Sequence, residues 1–284
     1  MHRKIIDMRS RPAFLDDFYG ATPGTPGHAT AQWLNRRTGS RSDTHFERSC
    51  TLDGYLVALQ EAGITQAVVV GRETPGLTVD NDRIHALTRG QAALIGLGSV
   101  DPQTRGIEAA LAEVERSVKR LGQKAINLEP GFGKPALQAD DPLYHPIYEL
   151  CQSLQVPVCL MSGPTTPDLA YNDPSAVGRV ARHFPQLPII CYHGFYPRVQ
   201  EIIGVAFRYE NVHLVPDMYL FAPGSQAYVE AANGVLREQF LFGTSYPFRE
   251  MTQTVQDFMA LGWKDEVLER VLHANATRLL RLAE

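Results

Sequence analysis

Residues 5–12 read "IIDMRSRP": an apolar start, then Asp7, Arg9 and Arg11 at every second place, then a proline. A period of two is the pattern of a strand, and Pro12 marks its end. The chain beyond this strand decides the fold. No Gly-rich dinucleotide turn comes after it, which removes the main support for a doubly wound sheet. Instead, apolar runs recur at residues 67–70, 94–100, 124–129, 156–161, 188–193, 213–217 and 240–245, after the first strand at residues 4–9. Most are β-branched or Leu-rich and continuous, as strands covered on both faces are. Between them lie helical patterns such as "TLDGYLVALQEAG" (51–63), with Thr51 as a cap and Gly63 as a stop. Strands alternating with helices in this number predict a (β/α)₈ TIM barrel, one α/β domain over residues 1–284.

The composition sets limits on partners. The 284 residues are 44% hydrophobic and 20% charged, with a formal net charge of -4. This mild acidity argues against nucleic acid or an anionic membrane as a partner. Cys50, Cys151, Cys159 and Cys191 form no C-x-x-C pair and read as reduced thiols, and the opening "MHRKIIDMRS" has no apolar leader core. A cytoplasmic location is therefore expected. Residues 12–50, between the first strand and first helix, read as one long irregular connection. In a barrel it lies on the catalytic face, so it is expected to act as a lid. It carries Trp33, His28, His45, Arg36, Arg37 and Arg41. The two histidines are expected to be exposed and inert.

Side chains near the C-terminal ends of barrel strands point alternately into the mouth. The last inward positions are Arg9 and Arg11, Glu129, Met161 or Ser162, His193, Asp217 and Ser245. Fixed cations, carboxylates, an imidazole and a hydroxyl suit recognition of negative charge and transfer of a proton. The "GFGK" turn, residues 131–134, adds Lys134 as a further candidate anion contact.

Eight stretches in order carry a family resemblance: "LVALQEAGITQAVVVG" (56–71), "NDRIHALTRGQAALIGLGSVDP" (81–102), "LGQKAINLEPGFG" (121–133), "ADDPLYHPIYELCQSLQVPVCLMSG" (139–163), "FPQLPIICYHGFYP" (184–197), "NVHLVPDMY" (211–219), "FLFGTSYPF" (240–248) and "VLHANATRLL" (271–280). With these the chain resembles the amidohydrolase-related group of the amidohydrolase superfamily, which includes aminocarboxymuconate semialdehyde decarboxylase-like and pyrone dicarboxylate lactonase-like enzymes. The resemblance implies a hydrolase or lyase, and a homo-oligomer. It also implies a metal held by His-x-His after the first-strand Asp, by a His after the fifth strand and by an Asp on the eighth. This sequence has Arg9, Arg11, Met161 and Ser245 at those places, and only His193 stands where the family has its histidine.

Guanidinium offers no lone pair to a metal, and a catalytic zinc takes about three protein donors. No cofactor is therefore expected, the alternative being a single divalent ion such as zinc on a rearranged set of Glu129, His193 and Asp217. Arg9 and Arg11 need anions if buried, either internal carboxylates or a substrate. The resemblance favours a substrate, because the lactonase branch works without metal and uses arginines on an anionic substrate. The expected function is a hydrolase or lyase on a small carboxylated metabolite, a lactone or ring-cleavage acid. Arg9, Arg11, Ser245 and Lys134 would bind substrate, and His193, Glu129 and Asp217 would be catalytic. A non-catalytic barrel that binds an acidic ligand is the rival from another class.

Overall fold

The computed structural model describes residues 3–283; Met1, His2 and Glu284 of the expected domain lie outside them. Among the described residues nine strands form: β1 (Ile6–Ser10), β2 (Gln66–Val70), β3 (Arg72–Thr74), β4 (Leu77–Val79), β5 (Leu94–Ser99), β6 (Ile126–Leu128), β7 (Val158–Leu160), β8 (Ile189–Tyr192) and β9 (Val212–Val215). Seven of them make one parallel sheet in the order β1-β2-β5-β6-β7-β8-β9, while β3 and β4 pair as a separate antiparallel hairpin. Alternation along the strands splits the apolar residues in two. Ile6, Met8, Val68, Val70, Ile95, Leu97, Ile190, Tyr192 and Val215 fill the barrel interior. Ala67, Val69, Ile126, Leu128, Val158, Leu160, Ile189 and Leu214 belong to the larger core outside it, packed with the helices. Both faces are thereby dry, which explains the continuous apolar runs.

The expected eighth strand is present in place but not as a ladder. Residues 240–246 touch both edges through single bridges, Phe240 with Leu214 and Tyr246 with Ser10. The backbone N–H of Met8 donates to the Phe242 carbonyl at 3.0 Å, and that of Ser245 to the Arg9 carbonyl at 2.8 Å. A side chain finishes the seam: Asp7 accepts from the Thr244 N–H at 2.9 Å and from its hydroxyl at 2.5 Å. Burial raises the Asp7 carboxyl to about 7 despite these bonds.

The helix expected from Thr51 forms, and others start on caps of the same kind. Thr51 accepts from the Gly54 N–H ahead of Leu52–Glu61, and Asp173 caps Pro174–His183 through Ser175. "DPQTRGIEAALAEVERSVKRLG" breaks at Gly106 into Pro102–Arg105 and Ile107–Lys119, because Gly106 has a φ of 77°. Residues 12–50 are not irregular, as expected, but hold a helix, Pro26–Arg37, capped by the Thr25 hydroxyl. His45 also departs from expectation. It is buried and shares a 2.6 Å hydrogen bond with the Pro247 carbonyl, tying this segment to the barrel. All four cysteines are unpaired, as read from the sequence. Among the described residues, no helix is long and apolar enough to cross a membrane.

Candidate active site

A cavity of about 440 Å³ opens at the C-terminal ends of the strands. Its floor carries Arg9, Arg11, Arg72, Met161 and His193, and its roof comes from residues 12–50 through Phe18, Tyr19, Thr30, Trp33 and Leu34. The roof therefore lies where a lid belongs.

The arginines reach the mouth because of an irregularity in β1. Asp7 pairs with Ala67 but Ser10 with Val69, so three steps on β1 oppose two on β2. An extra residue of this kind reverses which side chains face inward. Met8 faces the interior, yet Ser10 turns outward to share a hydrogen bond with the Tyr55 hydroxyl, and Arg9 and Arg11 both line the cavity.

Their surroundings differ. Arg11 donates through Nε to the Val70 carbonyl at 3.0 Å and through Nη2 to Gly71 and Glu129, both at 2.8 Å. Arg72 approaches the other Glu129 oxygen at 2.9 Å, with its guanidinium near the Phe18 and Phe132 rings. Burial alone would raise the Glu129 carboxyl, but Arg72 and then Arg11 outweigh it and hold the pKa at about 2. Arg9 is as deeply placed but has no such partner. Its Nε is buried without a hydrogen bond, and its Nη2 meets only the Met161 thioether at 3.8 Å. Among the described residues no carboxylate forms an ion pair with it. The Tyr192 ring lies 5.2 Å from its guanidinium carbon.

Across the cavity, His193 follows β8 and Asp217 follows β9. Asp217 bonds His193 Nδ1 at 2.8 Å and accepts from the His193 backbone N–H at 3.1 Å. Among the described residues Nε2 has no hydrogen-bond partner, on a ring that lines the cavity. Carboxylate, imidazole and open cavity in this order orient the ring and fix the role of each nitrogen. His193, Asp217 and Ser245 all adopt positive φ, at 59°, 46° and 58°. Left-handed backbone at three non-glycine strand ends is strain that a structure retains where geometry matters. Gly243 lets its segment pass close to Arg9 and Asp217: a Cβ there would lie 2.8 Å from Val215 and 3.3 Å from the Cβ atoms of both Arg9 and Asp217.

Several expected positions fall elsewhere. Lys134 is exposed and outside the cavity lining. Ser245 is buried with its hydroxyl unbonded, next to the site but not lining it. Glu129 stands behind the arginines and not beside His193. Asp7, expected to share a face with the arginines, points to the seam. Ser162 is structural, bonding the Tyr192 carbonyl and the Phe195 N–H. Arg72 was not among the expected site residues, although it stands two residues past a strand that reads "AVVV" and follows the same strand-end rule.

The Amidohydrolase family model matches residues 43–282. No curated protein matches the chain. An uncharacterized TIM-barrel protein from Bordetella bronchiseptica is 34% identical, over 98% of this chain and 99% of that one, with a TM-score of 0.89. A dihydroxybenzoic acid decarboxylase from Polaromonas, solved with bound manganese and the inhibitor 2-nitroresorcinol, is 17% identical over 99% and 97%, TM-score 0.69. A probable 2-pyrone-4,6-dicarboxylic acid hydrolase from Acinetobacter baumannii, with citric acid bound, is 14% identical over 99% and 100%, TM-score 0.64.

These structures correct the expectation of no cofactor. The manganese in the decarboxylase makes a divalent metal, and not its absence, the starting expectation for a barrel of this fold. The side chains of this chain do not assemble the usual donors for it. Arg9 and Arg11 are donor-only, both Asp217 oxygens serve His193, and Glu129 is held by two arginines. Among the described residues no group of three or more His, Cys, Asp or Glu is placed to hold a metal, so the rearranged set of Glu129, His193 and Asp217 is not assembled either.

Proposed function

The chain belongs to the amidohydrolase family, and on that premise we propose that it is a hydrolase or carboxy-lyase acting on a small carboxylated metabolite, such as a lactone or ring-cleavage acid. One observation carries the reading. A buried guanidinium with no carboxylate partner, Arg9, shares a cavity with an imidazole whose far nitrogen is held by Asp217. A buried cation of this kind calls for an anion, and the ligand supplies it. Relatives that are named for decarboxylating dihydroxybenzoic acid and for hydrolysing a pyrone dicarboxylic acid support the same class.

Each side chain then has a task. Arg9 binds the carboxylate, and Arg11 and Arg72 add hydrogen-bond donors beside it. Phe18, Trp33, Phe132 and Phe248 surround the rest of the ligand and exclude water. His193 Nε2 moves the proton. In a hydrolysis it takes one from the attacking water and returns it to the leaving oxygen. In a decarboxylation it delivers one to the carbon that loses carbon dioxide. Asp217 is a positioning residue, holding Nδ1–H so that Nε2 carries the lone pair when neutral and is flanked by negative charge when protonated. Residues 12–50 act as the lid of this one catalytic unit.

The test is turnover of a panel of lactones, carboxylated dienes and aromatic carboxylates by the purified protein, as isolated, after chelation and with manganese added. Activity on at least one, abolished in His193→Asn, is the expected result. A carboxylate-dependent rise in melting temperature without turnover under any condition would instead make the protein a non-catalytic acid-binding barrel.

A further inference from the structure

Resting on the proposed carboxylate site, we infer that Glu129 is a specificity residue that limits the substrate to a single negative charge. Three guanidinium groups line the cavity, but they are not equivalent. Glu129 places one oxygen 2.8 Å from Arg11 and the other 2.9 Å from Arg72, and Asn127 adds a 3.0 Å bond to the first. Arg11 and Arg72 can still donate to a ligand, yet the charge of one of them is cancelled in place. Asp217 sets a second carboxylate against the three cations, and it is committed to His193. With His193 neutral, three positive groups against these two negative ones leave a formal surplus of one. Asp16 also attracts Arg72, but it lies outside the cavity lining and is only half-buried, so water screens it. Among the described residues the other carboxyl bonded to Arg9 is Asp7, which accepts from the Arg9 backbone N–H. It is neutral below about 7 and leaves that surplus intact there.

One carboxylate on Arg9 therefore balances the cavity. A second would enter a space walled mainly by Phe18, Trp33, Phe132, Met161, Met218 and Phe248, where Tyr19, Thr30 and Thr165 bring hydroxyls but no uncompensated cation is left to offset it. Desolvating an unpaired carboxylate is among the costliest steps in binding. Glu129 thus acts as a fixed internal anion, standing where a second substrate carboxylate would otherwise go.

The experiment compares benzoate with isophthalate, two flat rings that differ by one carboxylate, by calorimetry at constant ionic strength and a pH below about 7. The wild-type protein binds benzoate about tenfold or more tightly. Glu129→Gln shifts the preference about tenfold or more toward isophthalate, and Glu129→Gln with Arg72→Met, which restores the surplus of one, returns it to benzoate. Should Glu129→Gln not fold, the wild-type ratio and the double variant decide. Equal or tighter binding of isophthalate by the wild type overturns the role of Glu129 but leaves the carboxylate site standing. An unchanged ratio in a folded Glu129→Gln variant does the same. Binding of neither ligand overturns both readings.

Discussion

Replacing Arg9 by methionine should make the protein more stable and unable to hold its ligand. Arg9 is 4% exposed, and its Nε is buried without a hydrogen bond. Burial, then the neighbouring Arg11, lower its pKa from 12.5 to about 10, with Asp217 offsetting part of this. The group stays charged at neutral pH, so the displacement is a cost of the folded state: about 3 kcal/mol at roughly 1.4 kcal/mol per pKa unit. Methionine fills similar volume beside Met161 and Tyr192 without the charge, and exchanging buried ionic groups for apolar ones can stabilise by about 1–4 kcal/mol. A gain of about 1–3 kcal/mol is expected, or roughly 2–8 °C in melting temperature for a chain of this size. Affinity should move the other way. Losing a charge-assisted pair to the carboxylate costs about 2–4 kcal/mol, a factor of roughly 30 to 1000. Denaturant unfolding and carboxylate calorimetry on the same preparation measure both. A variant destabilised by more than about 1 kcal/mol, or one that binds like the wild type, would refute the argument that Arg9 is held in reserve for a ligand.

Other outcomes rest on the same geometry. Asp217→Asn should lower kcat by about 100-fold or more with KM little changed, because it spoils the orientation of His193 without touching the anion contact; steady-state kinetics decides. Glu129 is held at about 2, below its ordinary 4.5, so its contribution is complete above 4.5 and is lost as pH falls toward 2. That loss is about 3 kcal/mol, visible as a falling unfolding midpoint in acid and reduced in Glu129→Gln. Asp7 has the opposite sign: raised from 3.8 to about 7, it withdraws stability as pH climbs through that interval, a decline that Asp7→Asn should flatten. Trp33→Ala opens the roof and should raise KM by about tenfold while leaving the unfolding midpoint nearly unchanged, since the indole is 47% exposed.

The barrel was legible because apolar runs and caps are local. Val68, Val69 and Val70 announce a strand covered on both sides, and Thr51 announces a helix start, with no knowledge of the rest. Arg9, Arg11 and His193 also line the cavity at the strand ends where they are expected, the arginines by way of the slip in β1. Relations between distant residues were less legible. Nothing near Glu129 tells that Arg11 and Arg72 will converge on it from two other strands. The inward turn of Arg9 depends on a register slip against β2 that alternation alone does not contain. Lys134 stands beside a glycine turn, but of that turn it is Phe132 that lines the cavity, while Lys134 itself is exposed. The helix at Pro26–Arg37 hides behind a polar composition, with only Ala31, Leu34 and Asn35 buried along it. A metal is the sharpest case. Local donor counting argued for its absence, whereas the wider fold carries manganese in a decarboxylase.

Where residues 240–246 meet β1, the cylinder is fastened by a handful of amide contacts and one aspartate instead of a continuous ladder. That joint is where the wall should breathe first, and its amides should exchange with deuterium ahead of those between β2 and β5. Arg9 sits on one lip and Ser245 on the other. If Arg9 holds the ligand as proposed, binding should steady its lip of the joint, readable as slowed exchange at the Met8, Arg11 and Ser245 amides.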